Sequence, residues 1–424
     1  MHKVFRFNIF IFLAIVLFGC GGGGDHDPVE WNFDKSEITE NKPASTATLN
    51  VDVYLDVTGS MEGFSVPGQS NFGRFIDDIE ATCQNTWRET DIKYYKYGSR
   101  VDSISREEFV SAKNEKTIFT DGTINNKTDF ANAIRNTTSQ RVSVFITDLF
   151  YSNNDINAVV RTIKDKCIEK GIEVGVAGVT SDFNGSVGDL GQGLRRIKVD
   201  KQRTLFALVF GDQTNIDLLF RSLRNKPYIT GDQFLVFANK PTQSFEVNLE
   251  KDRQSKQINK SSLPKKAYEK YGNVFAFTMK ERETHGLAHL ELILQKDQLT
   301  PGYGAANIKA QVFKRTASEK DSVAADGEVK ISNVKISGAK LTSDLEITNN
   351  DPEGKYSYAV YFTLDNTVPL TMPQWVKDIS SASVDSVAYG KTLNLEKLLT
   401  DVSTSHVTAM QPKIAKFYIY LEKK

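Results

Sequence analysis

Three oxygen-bearing side chains at alternate positions, Asp56, Thr58 and Ser60, could together face one hard cation. A carboxylate and two hydroxyls are ligands of the kind Mg2+ and Ca2+ take, and Mg2+ keeps several waters and needs few protein ligands. Gly59 stands among them and lets the backbone turn. Alone, Asp-x-Thr-x-Ser is ordinary turn chemistry, because Asp, Thr, Gly and Ser populate any loop after a strand. Two later stretches give it weight. Residues 141–150, RVSVFITDLF, read as a buried strand that ends in an acid, Asp148. Thr128 and Asp129 stand just before a short helical pattern at 131–135, where a Thr or Asp also serves as a cap.

The element that must position the first three residues is a strand. In residues 49–56, Leu49, Val51, Val53 and Leu55 alternate with Asn50, Asp52, Tyr54 and Asp56. Here the chain resembles the von Willebrand factor type A (VWA) domain, and the resemblance covers residues 46–240. That family holds a divalent ion at the carboxyl edge of its sheet, through Asp-x-Ser-x-Ser, a Thr on a second loop and an Asp after a later strand. Carried over by position, the resemblance implies metal ligation by Asp56, Thr58, Ser60, Thr128 and Asp148. The ion it implies is Mg2+ first, with Ca2+ and Mn2+ as alternatives. This chain departs from the pattern twice. Thr58 replaces the usual Ser, and its extra methyl restricts χ1. Thr128 follows Asn126-Lys127 rather than a Gly, while a Gly-Thr pair sits earlier at Gly122-Thr123; Thr128 is preferred because it directly precedes the helix start.

The first twenty residues are targeting sequence rather than fold. Lys3 and Arg6 precede an apolar run at 9–18 that is too short for a stable membrane span. Leu17-Phe18-Gly19-Cys20 then resembles a bacterial lipobox, which implies cleavage and lipidation at Cys20. By family analogy, Gly21 rather than Asp after the Cys argues against retention in the inner membrane. The expected location is the cell envelope, lipid-anchored at the outer membrane, on its periplasmic or its surface face. Residues 21–45, Gly-rich and then acidic, read as a flexible tether, and Asp25-His26-Asp27 within them as solvated linker. Lys+Arg and Asp+Glu both number 53, so removing Lys3 and Arg6 leaves a formal charge of −2, which gives nucleic-acid binding no support.

The rest of 46–240 alternates helical and strand patterns, so the expected fold is α/β, a doubly wound, mostly parallel sheet. Cys83 and Cys167 fall in helices that should cover opposite faces, which predicts two separate buried thiols. Residues 181–202, rich in Gly and Asp, read as a surface loop lacking EF-hand spacing. Beyond 241 short strand-like runs take over, predicting a β-rich, sandwich-like region over 241–424 with short helices inserted near 373–379 and 393–399. His285 and His289 have helical zinc spacing, but Gly286 replaces the needed Glu and the run 287–292 reads as a strand.

No nucleophile-and-base arrangement stands out among five His and two mature Cys, so an enzyme is not expected. The expected function is a membrane-anchored lipoprotein of the bacterial cell envelope. Its VWA-like domain binds a divalent cation and, through it, an Asp or Glu of a partner protein, in adhesion or envelope complex assembly. The alternatives are a metal-assisted envelope hydrolase and a scaffold with a degenerate metal site. Two-metal hydrolysis needs more carboxylate and His ligands than these loops offer.

Overall fold

The computed structural model describes residues 49–424 except 67, 69, 88, 151–152, 189–195, 230–232, 238–245, 250–256, 264, 266–273, 294–307, 317–322, 338–339, 366–370 and 411–412. The expected signal peptide with Cys20 and the tether at 21–45 lie outside the described residues.

In the first part of the chain the elements run β1 (Leu49–Asp56), α1 (Asn71–Asn85), β2 (Thr90–Tyr97), β3 (Val101–Ile104), α2 (Arg106–Ser111), α3 (Phe130–Ala133), β4 (Arg141–Thr147), α4 (Asn153–Lys166), β5 (Glu173–Ser181), β6 (Asn184–Val187), β7 (Ile197–Asp200), β8 (Arg203–Gly211), α5 (Gln213–Arg224) and β9 (Phe234–Phe237). One sheet takes seven of the strands in the order β3-β2-β1-β4-β8-β5-β9. Its hydrogen-bonded neighbours are parallel only at β1–β2 and β1–β4. The pairs β2–β3, β4–β8, β5–β8 and β5–β9 are antiparallel. The sheet is therefore mixed, not mostly parallel as the strand–helix alternation suggested. The physical reason lies between β5 and β8. Among the described residues no helix separates them; the β6–β7 hairpin lies on the way back, and β8 slots in antiparallel between β4 and β5, where a βαβ crossover would have kept the direction.

Alternation along the strands sends side chains to two apolar layers. Val51, Val53 and Leu55 join Phe75, Ile76 and Ile79 of α1 and Leu219 and Phe220 of α5 on one face. Tyr54, Phe145 and Phe210 join Phe130 of α3 and Ile156 and Ile163 of α4 on the other. Cys83 and Cys167 are free, buried thiols, one in each layer. The described residues of 181–202 are more than a surface loop. Phe183, Val187 and Val199, in and around the β6–β7 hairpin, are buried in the first layer. A Phe or Val at every few positions among Gly and Asp has no helical or strand period, which is why its burial is invisible locally.

The second part carries β10 (Glu246–Leu249), β11 (Ile258–Ser261), β12 (Val274–Met279), β13 (His285–Ile293), β14 (Ile308–Thr316), β15 (Val323–Ala324), β16 (Val329–Ser337), β17 (Lys340–Thr348), β18 (Gly354–Leu364), α6 (Gln374–Ile379), β19 (Ser380–Ser381), β20 (Thr392–Leu393), α7 (Leu395–Met410) and β21 (Lys413–Lys423). A four-stranded sheet, β10-β13-β17-β16, and a six-stranded one, β11-β12-β21-β18-β14-β15, share a single apolar cluster. Leu290, Leu345 and Ile347 enter it from the first, Phe277, Phe362 and Phe417 from the second. His289 Nδ1 lies 2.7 Å from Asp344, its cross-strand partner, and His285 lies beside Glu346. The two histidines thus pair with acids on β17. The helices α6 and α7 are inserted in the β-rich sequence but do not pack there. Val376, Leu395, Leu398 and Val402 complete the second layer of the seven-stranded sheet. Among the described residues no helix is long and apolar enough to cross a membrane.

Candidate functional site

β1 and β4 run side by side in the same direction, so their C-terminal ends meet at one edge of the sheet. Asp56 closes β1 and Asp148 follows directly on β4. Both are buried, at 1% and 2% exposure. Asp56 is held from three sides. Its Oδ1 accepts from the Thr58 backbone N–H at 2.9 Å and from the Thr58 hydroxyl at 2.6 Å. Its Oδ2 accepts from the Thr147 hydroxyl at 2.8 Å, which fastens β4 to β1 at the edge. Asp148 Oδ1 accepts from the Phe150 N–H at 3.3 Å. The chain leaves β4 sharply here: Leu149 adopts φ 48°, a left-handed value uncommon for a branched side chain. Its burial in the second layer and its N–H bond to Thr147 Oγ1 at 3.3 Å hold it there.

The other ligand candidates lie close to these. Ser60 is half-buried at the start of the 3-10 turn Met61–Phe64, and its side chain makes no cap bond. Thr128 is half-buried on the loop before α3. That loop is tied to the same edge, because Asp129 donates its N–H to the Gly98 carbonyl at 2.7 Å, one residue past the Tyr97 that pairs with Asp56. The cap of α3 is Asp129, which accepts from Asn132 N–H, rather than Thr128. Thr123 is exposed, and its hydroxyl donates to Asp121. Asp56, Thr58 and Asp148 are thus brought together, with Ser60 and Thr128 on the adjoining loops.

Two participants had not been singled out from the sequence, Thr147 and Arg203. Arg203 opens β8, opposite Ser181 of β5, and so enters the edge from the strand that lies beside β4. It is 1% exposed. Its Nη1 donates to Asp148 Oδ2 at 3.4 Å. The face of the guanidinium is covered by aromatic rings, Phe183 at 4.8 Å and Phe64 at 5.9 Å from the Cζ to the ring centroids. Nε and Nη2 have no hydrogen-bond partner among the described residues. Gly63 makes the covering possible: a Cβ there would stand 2.3 Å from the Phe183 ring. The one available sequence signal was a charge leading an otherwise mostly apolar strand, RTLFALVFG.

The electrostatics follow from this enclosure. Burial first, and the Asp148 charge second, push the Asp56 carboxyl up to about 7, against the Thr58 and Thr147 hydrogen bonds that favour its ionised form. Burial pulls Arg203 below its usual value, and Asp148 works the other way. With both acids ionised, two negative charges face one positive charge in a site from which water is largely excluded. The donor set therefore fits a hard cation: two carboxylates and a hydroxyl share one edge, and one guanidinium balances only one of the two acids. Among the described residues no cluster of three or more His, Cys, Asp or Glu converges, so any coordination here would be hydroxyl-rich.

No protein-family model matches the chain, and no curated protein matches it.

Proposed function

We propose that this chain is a lipid-anchored protein of the bacterial cell envelope, tethered at Cys20, whose VWA-like first domain is a non-enzymatic protein-binding module. The observation that carries the reading is the convergence of Asp56, Thr58 and Asp148 at the edge where β1 and β4 end. The ligands in this reading are those three residues with Ser60 and Thr128. A divalent cation, Mg2+ first and Mn2+ or Ca2+ next, would supply an electrophilic point that a partner's Asp or Glu can bind. The chain's own residues do the positioning: Thr147 and the Thr58 N–H orient Asp56, and the strained turn at Leu149 sets Asp148.

A second reading, a scaffold with a degenerate metal site, is favoured by one observation, the Arg203 guanidinium sealed against Asp148. Calorimetric titration of the chelator-treated chain with Mg2+, Mn2+ and Ca2+, beside Asp56→Ala, separates the two. The first reading expects binding in the parent and none in the variant, together with chelator-sensitive capture of an envelope protein that Asp56→Ala loses. Capture that is unchanged in a folded Asp56→Ala would sink it.

A further inference from the structure

The positive charge at this edge is the chain's own Arg203, and its geometry is that of an incomplete partner. Arg203 reaches Asp148 through one nitrogen at 3.4 Å, a long contact, while Nε and Nη2 find no acceptor among the described residues. A guanidinium that served only to satisfy a buried carboxylate would be expected to use its fork for two parallel bonds. What holds this one is enclosure by Phe64 and Phe183. The segment that leads into α7 passes beside its stem: a Cβ on Gly390, at φ +84°, would be 2.2 Å from the Gln202 carbonyl and 3.9 Å from the Arg203 Cγ. The guanidinium thus stands on the same carboxylate that an incoming cation would use, in a dry site where like charges repel strongly.

We infer that Arg203 is a built-in competitor for the cation site: its guanidinium engages Asp148 and sets a low affinity for divalent ions. This rests on the reading of the edge as a cation site. It goes beyond that reading by naming the residue that tunes affinity. Ion uptake then requires Asp148 to be released or shared, so occupancy responds to the ion concentration around the protein rather than being permanent.

The test is Mn2+ binding, followed through the loss of the free-ion electron paramagnetic resonance signal, on the full chain in detergent. Four proteins are compared: the parent, Arg203→Gln, Arg203→Lys and Asp56→Ala/Arg203→Gln. The expected result is that Arg203→Gln binds at least about tenfold more tightly than the parent, that Arg203→Lys stays near the parent, and that the double variant binds nothing. A folded Arg203→Gln that binds no more tightly than the parent overturns the inference and leaves the cation site standing. Binding that persists in the double variant, or absence of binding in every protein, overturns the cation site itself. If Arg203→Gln is unfolded without metal, Mn2+ decides: refolding by Mn2+ supports competition for Asp148, and an unfolded chain at all Mn2+ concentrations overturns it.

Discussion

β1 buries two acids four residues apart, Asp52 and Asp56, and the molecule treats them differently. Asp52 pairs with Arg141 at the start of β4, a guanidinium with 26% of its side chain exposed. One charge meets one countercharge, and water reaches the cation. Asp56 shares its surroundings with Asp148 and with Arg203, whose side chain is fully enclosed. Two acids meet one guanidinium, and the cation is closed off from the surface. Between the two regions stands a wall of rings, Tyr54 stacked on Phe145 at 4.3 Å and on Tyr95 at 4.8 Å. The difference teaches how to separate ballast from function among buried charges. A balanced pair with one wet member holds strands in register. An unbalanced, sealed cluster stores an unmet electrostatic demand, which natural proteins keep where they bind something.

The largest effect should come from deleting the two guanidiniums in turn. Arg203→Met strands Asp148 in a dry site and should cost about 3–5 kcal/mol in chelator-treated protein. Arg141→Met should cost less, because Arg141 is partly open to solvent, which can take its place beside Asp52. Urea denaturation of both variants measures this. Equal losses would mean that enclosure does not distinguish the two regions.

A third buried ionisable group has a different solution. His406, on α7 against Phe237, is pushed down from 6.5 to about 4 by burial alone. The fold therefore keeps it neutral. As pH falls through 6.5 the unfolded chain takes up a proton that the folded chain refuses until about 4. Stability is full above that window and drains away as pH falls through it, by up to roughly 3 kcal/mol. His406→Leu should flatten this slope in a pH series of urea melts. A slope that survives in the variant would assign it to other groups, and the contrast between neutralising a charge and pairing it would lose its reference point.

How much of this was legible depends on how local each signal is. The alternation of residues 49–56, the acid at the end of β4 and the burial of both thiols are local patterns, and they put Asp56 and Asp148 where β1 and β4 end. The direction of β8 was not local. It depends on Phe183, Val187 and Val199 folding a Gly-rich insertion into a hairpin, and their spacing carries no period. Arg203 was missed for the same reason, since its role exists only once β8 lies beside β4. The docking of α7 was also hidden: its apolar stripe shows that it must cover something, but not which sheet.

The smallest effect tests the seal itself. Gly63 lies under the Phe183 ring, and Gly185 approaches the Gly63 backbone so closely that a Cβ on it would be 2.6 Å from the Gly63 Cα. Gly63→Ala must push the ring off the Arg203 guanidinium. On its own this should cost about 1–3 kcal/mol, the usual penalty for overpacking. Its value lies in combination with the first experiment. If enclosure is what makes Arg203 costly to remove, then in the Gly63→Ala background water can reach Asp148, and the cost of Arg203→Met should fall toward the smaller loss expected at Arg141. The two losses would then be less than additive, which a double-mutant cycle in urea reads directly. Strict additivity would show that Phe183 merely packs beside the guanidinium, and that the contrast between the two regions rests on charge count alone.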